Sequence, residues 1–270
     1  MRRQVGCCKH QYRRTDPLGS RRRLVPGLRR GGPLNIYSLT TQWAEKRKIP
    51  VHAQPSVDST NDWAKREFDQ TKDATDIYLT DHQEAGRGRG ANVWVNAAPG
   101  TSLLSTWSFP LKQPPQPVAA PAIGAALFRA AKATWMDLSF SLKPPNDLQC
   151  EGQKIAGLLI ESIQQGAKSR LLVGLGLNVL ALPQLPLAGC LAEFLPPSRL
   201  TEVVWSSFLD RWYFEMTLSL TQLQELNDDQ TSLILYAINQ SSTLQTPVLE
   251  VLKDGGMVMT GGVRIGWQSI

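Results

Sequence analysis

The stretch Gly86-Arg87-Gly88-Arg89-Gly90 has the residue types best suited to hold an anion. Glycine lets the backbone turn tightly and approach a ligand, leaving its N–H groups uncovered. Arginine adds a planar fork of donors that matches a carboxylate or phosphate. Gln83 precedes this stretch and Trp94 follows it. The pattern predicts an anion-binding loop; by itself, a flexible solvated loop is an equal alternative.

Further polar clusters border apolar runs between residues 59 and 178. Ser59-Thr60-Asn61 lies before a predicted helix, where one residue caps the helix and two are free to hold a polar ligand. Lys143-Pro144-Pro145-Asn146-Asp147 joins two predicted strands, and Lys154 opens the next apolar run. In Leu175-Gly176-Leu177-Asn178, Asn178 is suited to a purine edge. Each cluster has a plain alternative, as a cap, a turn, a solvent-reaching lysine or a strand bulge, but converging strand-end loops predict a pocket.

The hydrophobic pattern predicts the elements that position these clusters. Strands are expected at 49–57 (broken by Pro55), 77–80, 101–109, 140–142, 155–163 and 171–180, and a hairpin at 247–252 and 257–267. Helices are expected at 62–69, 119–136, 200–220 and 223–240, and a proline-rich linker at 110–117. This order predicts an α+β fold, a mixed β-sheet with helices on one face. The predicted domains are a disordered Arg-rich tail (1–35), one large domain (36–240) and a short β module (241–270).

Charge and composition exclude several classes of protein. Residues 1–30 contain ten of the 29 Lys and Arg but a single acid, so the overall charge of +6 leaves the other 240 residues at −3. We therefore expect no nucleic-acid partner. The four cysteines form no C-x-x-C pair and the three histidines are scattered, so no protein-held metal is expected. No apolar run approaches the roughly 20 residues that span a bilayer, which predicts a cytoplasmic protein without membrane contact.

In chain order, the motifs are similar to those of the biotin–protein ligases, the monofunctional type without an N-terminal DNA-binding domain. The resemblance covers roughly residues 50–180 and rests on five motifs: Ser59-Thr60-Asn61, Gln83 with Gly86–Gly90 and Trp94, Lys143–Asp147, Lys154–Glu161 and Gly174–Val179. It implies a mixed sheet flanked by helices, followed by a short SH3-like β module. It also implies that biotin and ATP give biotinyl-5′-AMP, and that biotin passes to a lysine of a biotin carboxyl carrier protein, an acetyl-CoA carboxylase subunit.

The resemblance also implies roles for particular residues. Biotin would contact Ser59, Thr60, Asn61, Gln83, Gly86, Arg87, Gly88, Trp94, Lys154 and Gly157. The nucleotide would contact Arg87, Arg89, Trp94, Lys143, Asn146, Asp147, Lys154 and Asn178. Lys154, Arg87 and Arg89 would be catalytic, with Lys154 bridging the biotin carboxylate and the α-phosphate. Mg²⁺ would be carried by ATP, because this ion keeps its waters and seldom has an all-protein cage.

The sequence departs from the family pattern at three places. Ala91-Asn92-Val93 replaces a further Gly-Arg before Trp94, Pro144 replaces the usual tryptophan of the Lys-Trp-Pro-Asn-Asp motif, and the C-terminal module is short. The first change puts an extra phosphate contact in doubt, and the second removes a packing group. The arginine-rich tail cannot supply a winged helix, so no DNA-binding role is expected.

Three other functions remain as alternatives. A lipoate or octanoate–protein ligase would share the fold, although the alternating Gly-Arg loop argues against it. A non-catalytic biotin-binding module would fit the altered motifs, and a basic nucleic-acid binder rests only on residues 1–30. The expected oligomeric state is a monomer or a weak homodimer.

Overall fold

The computed structural model describes residues 34–70, 73–113, 117–221 and 223–269. Residues 1–33 of the predicted tail lie outside these ranges. The helices are α1 Ile36–Lys46, α2 Thr60–Arg66, α3 Ala119–Thr134, α4 Leu191–Phe194, α5 Glu202–Ser219 and α6 Asp228–Asn239. The strands are β1 Val51–Val57, β2 Asp76–Gln83, β3 Ser102–Leu111, β4 Phe140–Lys143, β5 Asp147–Cys150, β6 Gln153–Gln165, β7 Lys168–Asn178, β8 Val248–Val251, β9 Met257–Met259 and β10 Arg264–Ile265. Short 3₁₀ turns lie at Phe68–Gln70, Pro197–Arg199 and Trp267–Ser269.

Strands β1 to β7 form one mixed sheet in the order β1-β2-β3-β7-β6-β5-β4. β1 and β2 are parallel, and the other neighbouring pairs are antiparallel. β8, β9 and β10 form a separate antiparallel sheet. The predicted mixed sheet with a small C-terminal β unit is therefore confirmed. The predicted boundary at residue 240 stays a prediction, and buried residues of the small sheet, such as Val248 and Met257, belong to the same apolar core as α3 and α5.

Alternation along β2 shows how the sheet is covered on both faces. Ile77 and Leu79 face the large core formed with α1, α3, α5 and α6. Tyr78 points the other way, where it packs with Trp63 of α2 and Leu172 of β7. The expectation of helices on one face is therefore wrong, since α2 lies on the second face. Side chains alternate along a strand, so a sheet buried on both sides needs cover on both sides.

Most predicted elements are confirmed with their ends shifted by a few residues, the usual uncertainty for helix and strand termini. Three local predictions are wrong. The second arm of the predicted hairpin, 257–267, is not one strand: it is divided into β9 and β10 by a turn at Gly261 and Gly262, which both have positive φ. β1 continues through Pro55, whose missing N–H is tolerated because β1 is an edge strand. β3 continues to Leu111, so no linker begins at residue 110. Helix α1 was not predicted; it is capped by Asn35, whose side chain accepts from the Ser38 N–H.

Candidate functional site

Polar residues from distant parts of the chain meet over the sheet face that carries α2. They enclose a hollow of about 350 Å³, a volume typical of small-molecule sites. Twelve of the fifteen predicted site residues line it: Ser59, Thr60, Asn61, Gln83, Arg87, Gly88, Arg89, Trp94, Asn146, Asp147, Lys154 and Gly157. The sequence clusters therefore converge as expected, because α2, β2, β6 and β7 all deliver residues to this region.

The glycine–arginine segment is a short hairpin with its own backbone hydrogen bonds. The Trp94 N–H donates to the Gly86 carbonyl (2.9 Å), and the Gly88 N–H donates to the Asn92 carbonyl (2.8 Å). Gly90 completes the turn with φ +64°, a left-handed conformation that glycine adopts without strain. The segment is therefore a hydrogen-bonded hairpin, and most of it is exposed to solvent. Asn92, one of the residues that depart from the family pattern, helps close the hairpin.

The two arginines of this hairpin have different surroundings. Arg87 pairs with Asp62 (2.5 Å) and Glu161 (3.0 Å). Burial opposes its charge, but these two carboxylates outweigh burial and raise the pKa of the Arg87 guanidinium. The exposed side chain of Arg89 makes no hydrogen bond or ion pair within the part of the chain that the structure describes. Arg89 is thus the arginine whose donors are available to an incoming anion.

A hydrogen-bond network holds the Ser59-Thr60-Asn61 cluster. Ser59 caps α2 by accepting from the Asp62 N–H (3.5 Å). The Thr60 hydroxyl and backbone N–H both donate to the Gln83 Oε1 atom, at 3.2 and 2.9 Å. The expectation that two residues of this cluster are free is wrong, because neighbours occupy the polar groups of both Thr60 and Asn61. The Gln83 Nε2 atom has no hydrogen-bond partner among the described residues, so this amide can donate to a ligand.

Asn61 is fixed on both sides of its amide group. Its Nδ2 atom donates to Glu161 (2.8 Å) and to the Leu159 carbonyl (3.2 Å). Its Oδ1 atom lies 2.5 Å from the Thr106 hydroxyl, which also lies 2.9 Å from the Thr60 hydroxyl. Asn61 therefore shapes the pocket rather than offering free polar groups to it.

Lys154 and Asp147 form the charged end of the hollow. The Lys154 ammonium lies 2.7 Å from the Asp147 carboxylate and 5.9 Å from the centre of the Trp94 ring. The backbone of Lys154 is fixed, since its N–H donates to the Leu187 carbonyl (3.0 Å) and its carbonyl accepts from Gly189 (2.8 Å). A lysine held at its backbone, with a flexible ammonium, can move a point charge between the carboxylate and a bound anion.

Two glycines opposite each other form a bare patch of sheet beneath Trp94. Gly157 of β6 and Gly176 of β7 are cross-strand partners. A Cβ atom at Gly176 would lie 2.5 Å from the Trp94 ring, and one at Gly157 would lie 3.1 Å from it. Both positions require glycine because the flat indole rests on the backbone.

Three predicted site residues do not line the hollow. Gly86 is buried at the base of the hairpin, where a Cβ would meet the Trp94 carbonyl at 2.8 Å. Lys143 is exposed at the end of β4. Asn178 is buried and donates to the Gly189 carbonyl (3.1 Å), so its Nδ2 atom is engaged with the chain; its role toward adenine stays a prediction.

The sequence-based prediction missed Asp62, Thr106 and Glu161, which hold the hollow together. Glu161 could have been predicted from the sequence, because a carboxylate inside the apolar strand Ile155–Ile163 must have partners when it is buried. Nothing in the sequence marks Asp62 or Thr106 as a site residue, since acidic residues near a helix start and threonines in strands are common.

A protein-family model matches part of this chain. Residues 53–178 match the model of the Biotin/lipoate A/B protein ligase family. These residues form a biotin/lipoate A/B protein ligase domain. The bifunctional ligase/repressor BirA of Escherichia coli K12 is 28% identical over 132 residues, which are 48% of this chain and 40% of that protein. Biotin–protein ligase 2 of Arabidopsis thaliana is 31% identical over 153 residues, 54% of this chain and 46% of that protein. The chain thus spans less than half the length of these two relatives.

Solved structures of biotin protein ligases share the fold. The enzyme of Aquifex aeolicus in complex with biotin and ATP has a TM-score of 0.58 and 20% identity, over 80% of this chain and 95% of that one. The Helicobacter pylori synthetase with bound biotinylated ATP has a TM-score of 0.57 and 18% identity, over 80% and 98% of the two chains. The hollow of the ligase domain lies within the matched residues 53–178.

None of the helices in the described ranges combines the length and apolar composition needed to cross a bilayer. Within those ranges, no three His, Cys, Asp or Glu residues are grouped so that they could hold a metal ion.

Replacing Glu161 with Gln tests the network of the ligase domain. Burial alone would raise the pKa of Glu161, but hydrogen bonds from Lys65, Asn61 and Arg87 outweigh it, so the pKa is lowered. The folded pKa then lies below the unfolded value of about 4.3. The unfolded chain binds more protons, so the stabilisation is complete above that value and is lost as the pH falls through the folded pKa.

We therefore expect E161Q to lower the free energy of unfolding by about 1.5–3 kcal/mol near neutral pH. We also expect its stability to fall less than that of the wild type as the pH drops from about 5 to about 3. Urea unfolding across this range measures both effects. The exposed Glu250, replaced in the same way, is the control. Parallel pH profiles for wild type and E161Q would show that the network does not stabilise the carboxylate.

Proposed function

We propose that this chain is an ATP-dependent biotin–protein ligase, which activates biotin as biotinyl-5′-AMP and transfers it to a lysine of a carrier protein. The observation that carries the proposal is the polarity of the hollow. One end offers neutral hydrogen-bonding groups, the Ser59 hydroxyl and the Gln83 amide, and the other offers the Lys154 ammonium and the Arg89 guanidinium. Biotin has the matching asymmetry, with a neutral ureido head and a carboxylate tail.

The first step places two anions side by side. A carboxylate oxygen of biotin attacks the α-phosphorus of ATP, and the bond to the leaving pyrophosphate breaks. Repulsion between the anions opposes their approach, so a positive charge between them lowers the barrier. Lys154 is suited to that position, because its ammonium extends from a fixed backbone into the hollow. Arg89 at the rim is suited to the phosphates, and Mg²⁺ enters on ATP.

The second step transfers the activated acyl group. The carrier lysine amine attacks the acyl carbon, the amide bond forms, and AMP leaves. Asp147 is the carboxylate placed to orient this amine, since it lies in the hollow beside Lys154. The intermediate must be kept from water, and Trp94 is the largest side chain able to cover it.

The comparison favours biotin over lipoate, because the relative from Arabidopsis thaliana is named as a biotin–protein ligase. Their activity belongs to proteins that this chain covers in part, so for this chain it is a proposal. The proposal has three further parts: the carrier is an acetyl-CoA carboxylase subunit, the protein is cytoplasmic, and it is a monomer or a weak homodimer.

Mass spectrometry of a biotin carboxyl carrier domain incubated with this protein, biotin and ATP tests the proposal. We expect a mass increase that matches one amide-linked biotin, together with pyrophosphate release that requires both biotin and ATP. Modification by lipoate or octanoate in preference to biotin would mean that the chain is a lipoate– or octanoate–protein ligase. Biotin binding without pyrophosphate release would make the chain a non-catalytic binding module.

A further inference from the structure

The turn between β4 and β5 has few backbone donors of its own. Pro144 and Pro145 occupy its tip, and proline has no backbone N–H. Contacts from outside the turn hold it instead. On one side, the Asn146 carbonyl accepts from the Leu158 N–H (2.8 Å), and the Asn146 side chain donates to the Leu158 carbonyl (3.1 Å). These bonds tie the turn to β6.

On the other side, Trp267 of the C-terminal segment reaches the same turn. Its indole N–H donates to the Pro145 carbonyl at 2.7 Å, across 122 positions of sequence. Only 6% of Trp267 is exposed, and its ring also faces α3, where a Cβ at Gly124 would lie 3.8 Å away. A buried indole held against a helix is a rigid donor, since its ring cannot change rotamer without losing this packing.

The turn carries a residue of the hollow. Asp147 follows Pro145 by two positions, and its carboxylate lies 2.7 Å from the Lys154 ammonium. Gln268, next to Trp267, lines a small cavity of about 100 Å³ together with Arg89, Asn146 and Leu158, all of which also line the main hollow. The C-terminal segment therefore reaches the rim of the site.

We propose that Trp267 is a positioning residue for the ligase reaction, which holds the Pro145–Asp147 turn so that Asp147 meets Lys154. The inference rests on the proposed function. Trp267 is not among the residues that line the hollow; it acts through the Pro145 carbonyl. A shift of about 1 Å in a group that positions reacting atoms is enough to slow an enzyme. The C-terminal segment then contributes to turnover as well as to stability.

Replacing Trp267 with Phe keeps most of the ring and removes the donor. We expect kcat for pyrophosphate release dependent on biotin and ATP to fall about 3- to 10-fold, the range that corresponds to one hydrogen bond. The KM for biotin should stay within about 2-fold, because the Ser59 and Gln83 end of the hollow is unchanged. W135F is the matched control: Trp135 is also buried, and its indole N–H donates to the Arg199 carbonyl (3.3 Å) away from the hollow. W135F should leave kcat unchanged.

A double-mutant cycle with D147N separates positioning from a general loss of structure. If Trp267 acts through Asp147, W267F should reduce kcat little in the D147N background. Effects that multiply in the double variant would overturn the proposal, and so would a W267F enzyme with wild-type kcat. If W267F does not fold, W267Y is measured in the same cycle, since its hydroxyl can donate and its ring fills more of the site.

The wild type distinguishes the two proposals. Without biotin-dependent pyrophosphate release by the wild type, the proposed function itself fails. An active wild type whose W267F variant behaves like W135F leaves the ligase assignment intact and removes the role of Trp267.

Discussion

Replacing Lys154 with Ala should reduce the rate of biotinyl-5′-AMP formation by about 10²- to 10³-fold, the usual effect of removing one group that stabilises charge in a transition state. Biotin affinity should fall by less than about 10-fold, because the neutral end of the hollow still holds the ligand head. The rate should fall more than the affinity because of where the ammonium lies, 2.7 Å from Asp147 in the hollow. The repulsion that it offsets, between the biotin carboxylate and the α-phosphate, develops only when both substrates are present. Single-turnover pyrophosphate release measures the rate, and calorimetry measures the affinity.

Lys168 supplies the control for this substitution, since it is an exposed lysine at the first position of β7 and does not line the hollow. K168A should leave both quantities unchanged. Equal losses of rate and affinity in K154A would mean that Lys154 binds biotin equally in the ground state and the transition state, and that the charge-bridging role is misassigned.

Replacing Gly176 with Ala should weaken biotin binding by about 10-fold or more and lower the thermal stability. A methyl group would lie 2.5 Å from the Trp94 ring, so the ring must move or the strands must separate. Overpacking of this kind costs about 1–3 kcal/mol, and the displaced indole would enter the space that a ligand needs. Calorimetric titration with biotin and a thermal melt measure the two effects.

Gly124→Ala is the matched control for G176A. Gly124 lies inside α3, and a Cβ there meets its nearest neighbours at 3.8 and 4.0 Å, ordinary contact distances. Alanine also favours a helix over glycine by about 1 kcal/mol, so G124A should be as stable as the wild type or more so. Wild-type biotin affinity in G176A would show that Trp94 does not rest on this patch in solution.

Local patterns of apolar residues predicted much of the fold. The apolar runs of β3, β6, β7 and α3 predicted these elements, because the period of buried residues depends on nearby sequence alone. Helix α1 was not predicted because one of its buried positions is the polar Thr40, which weakens the apolar stripe. β5 has four residues and includes the polar Gln149, too short a segment for a period to show.

The sequence by itself predicted most of the clusters that gather at the site. Glycine, proline, capping side chains and apolar runs act on their own neighbours, so the order of residues alone indicates that the clusters at Ser59, Gly86–Gly90 and Lys154 lie at strand ends. We expected these clusters to converge because loops at the ends of neighbouring strands commonly build a ligand pocket.

Only the tertiary structure decided how these residues are held. Arg87 meets Glu161 across 74 positions, Asn61 meets Glu161 across 100, and Trp267 meets Pro145 across 122. Each partner depends on the order of strands in the sheet and on which face a side chain takes, and a register shift of one residue would reverse every face. Local sequence leaves that choice open, because it is made by the burial of the whole core at once.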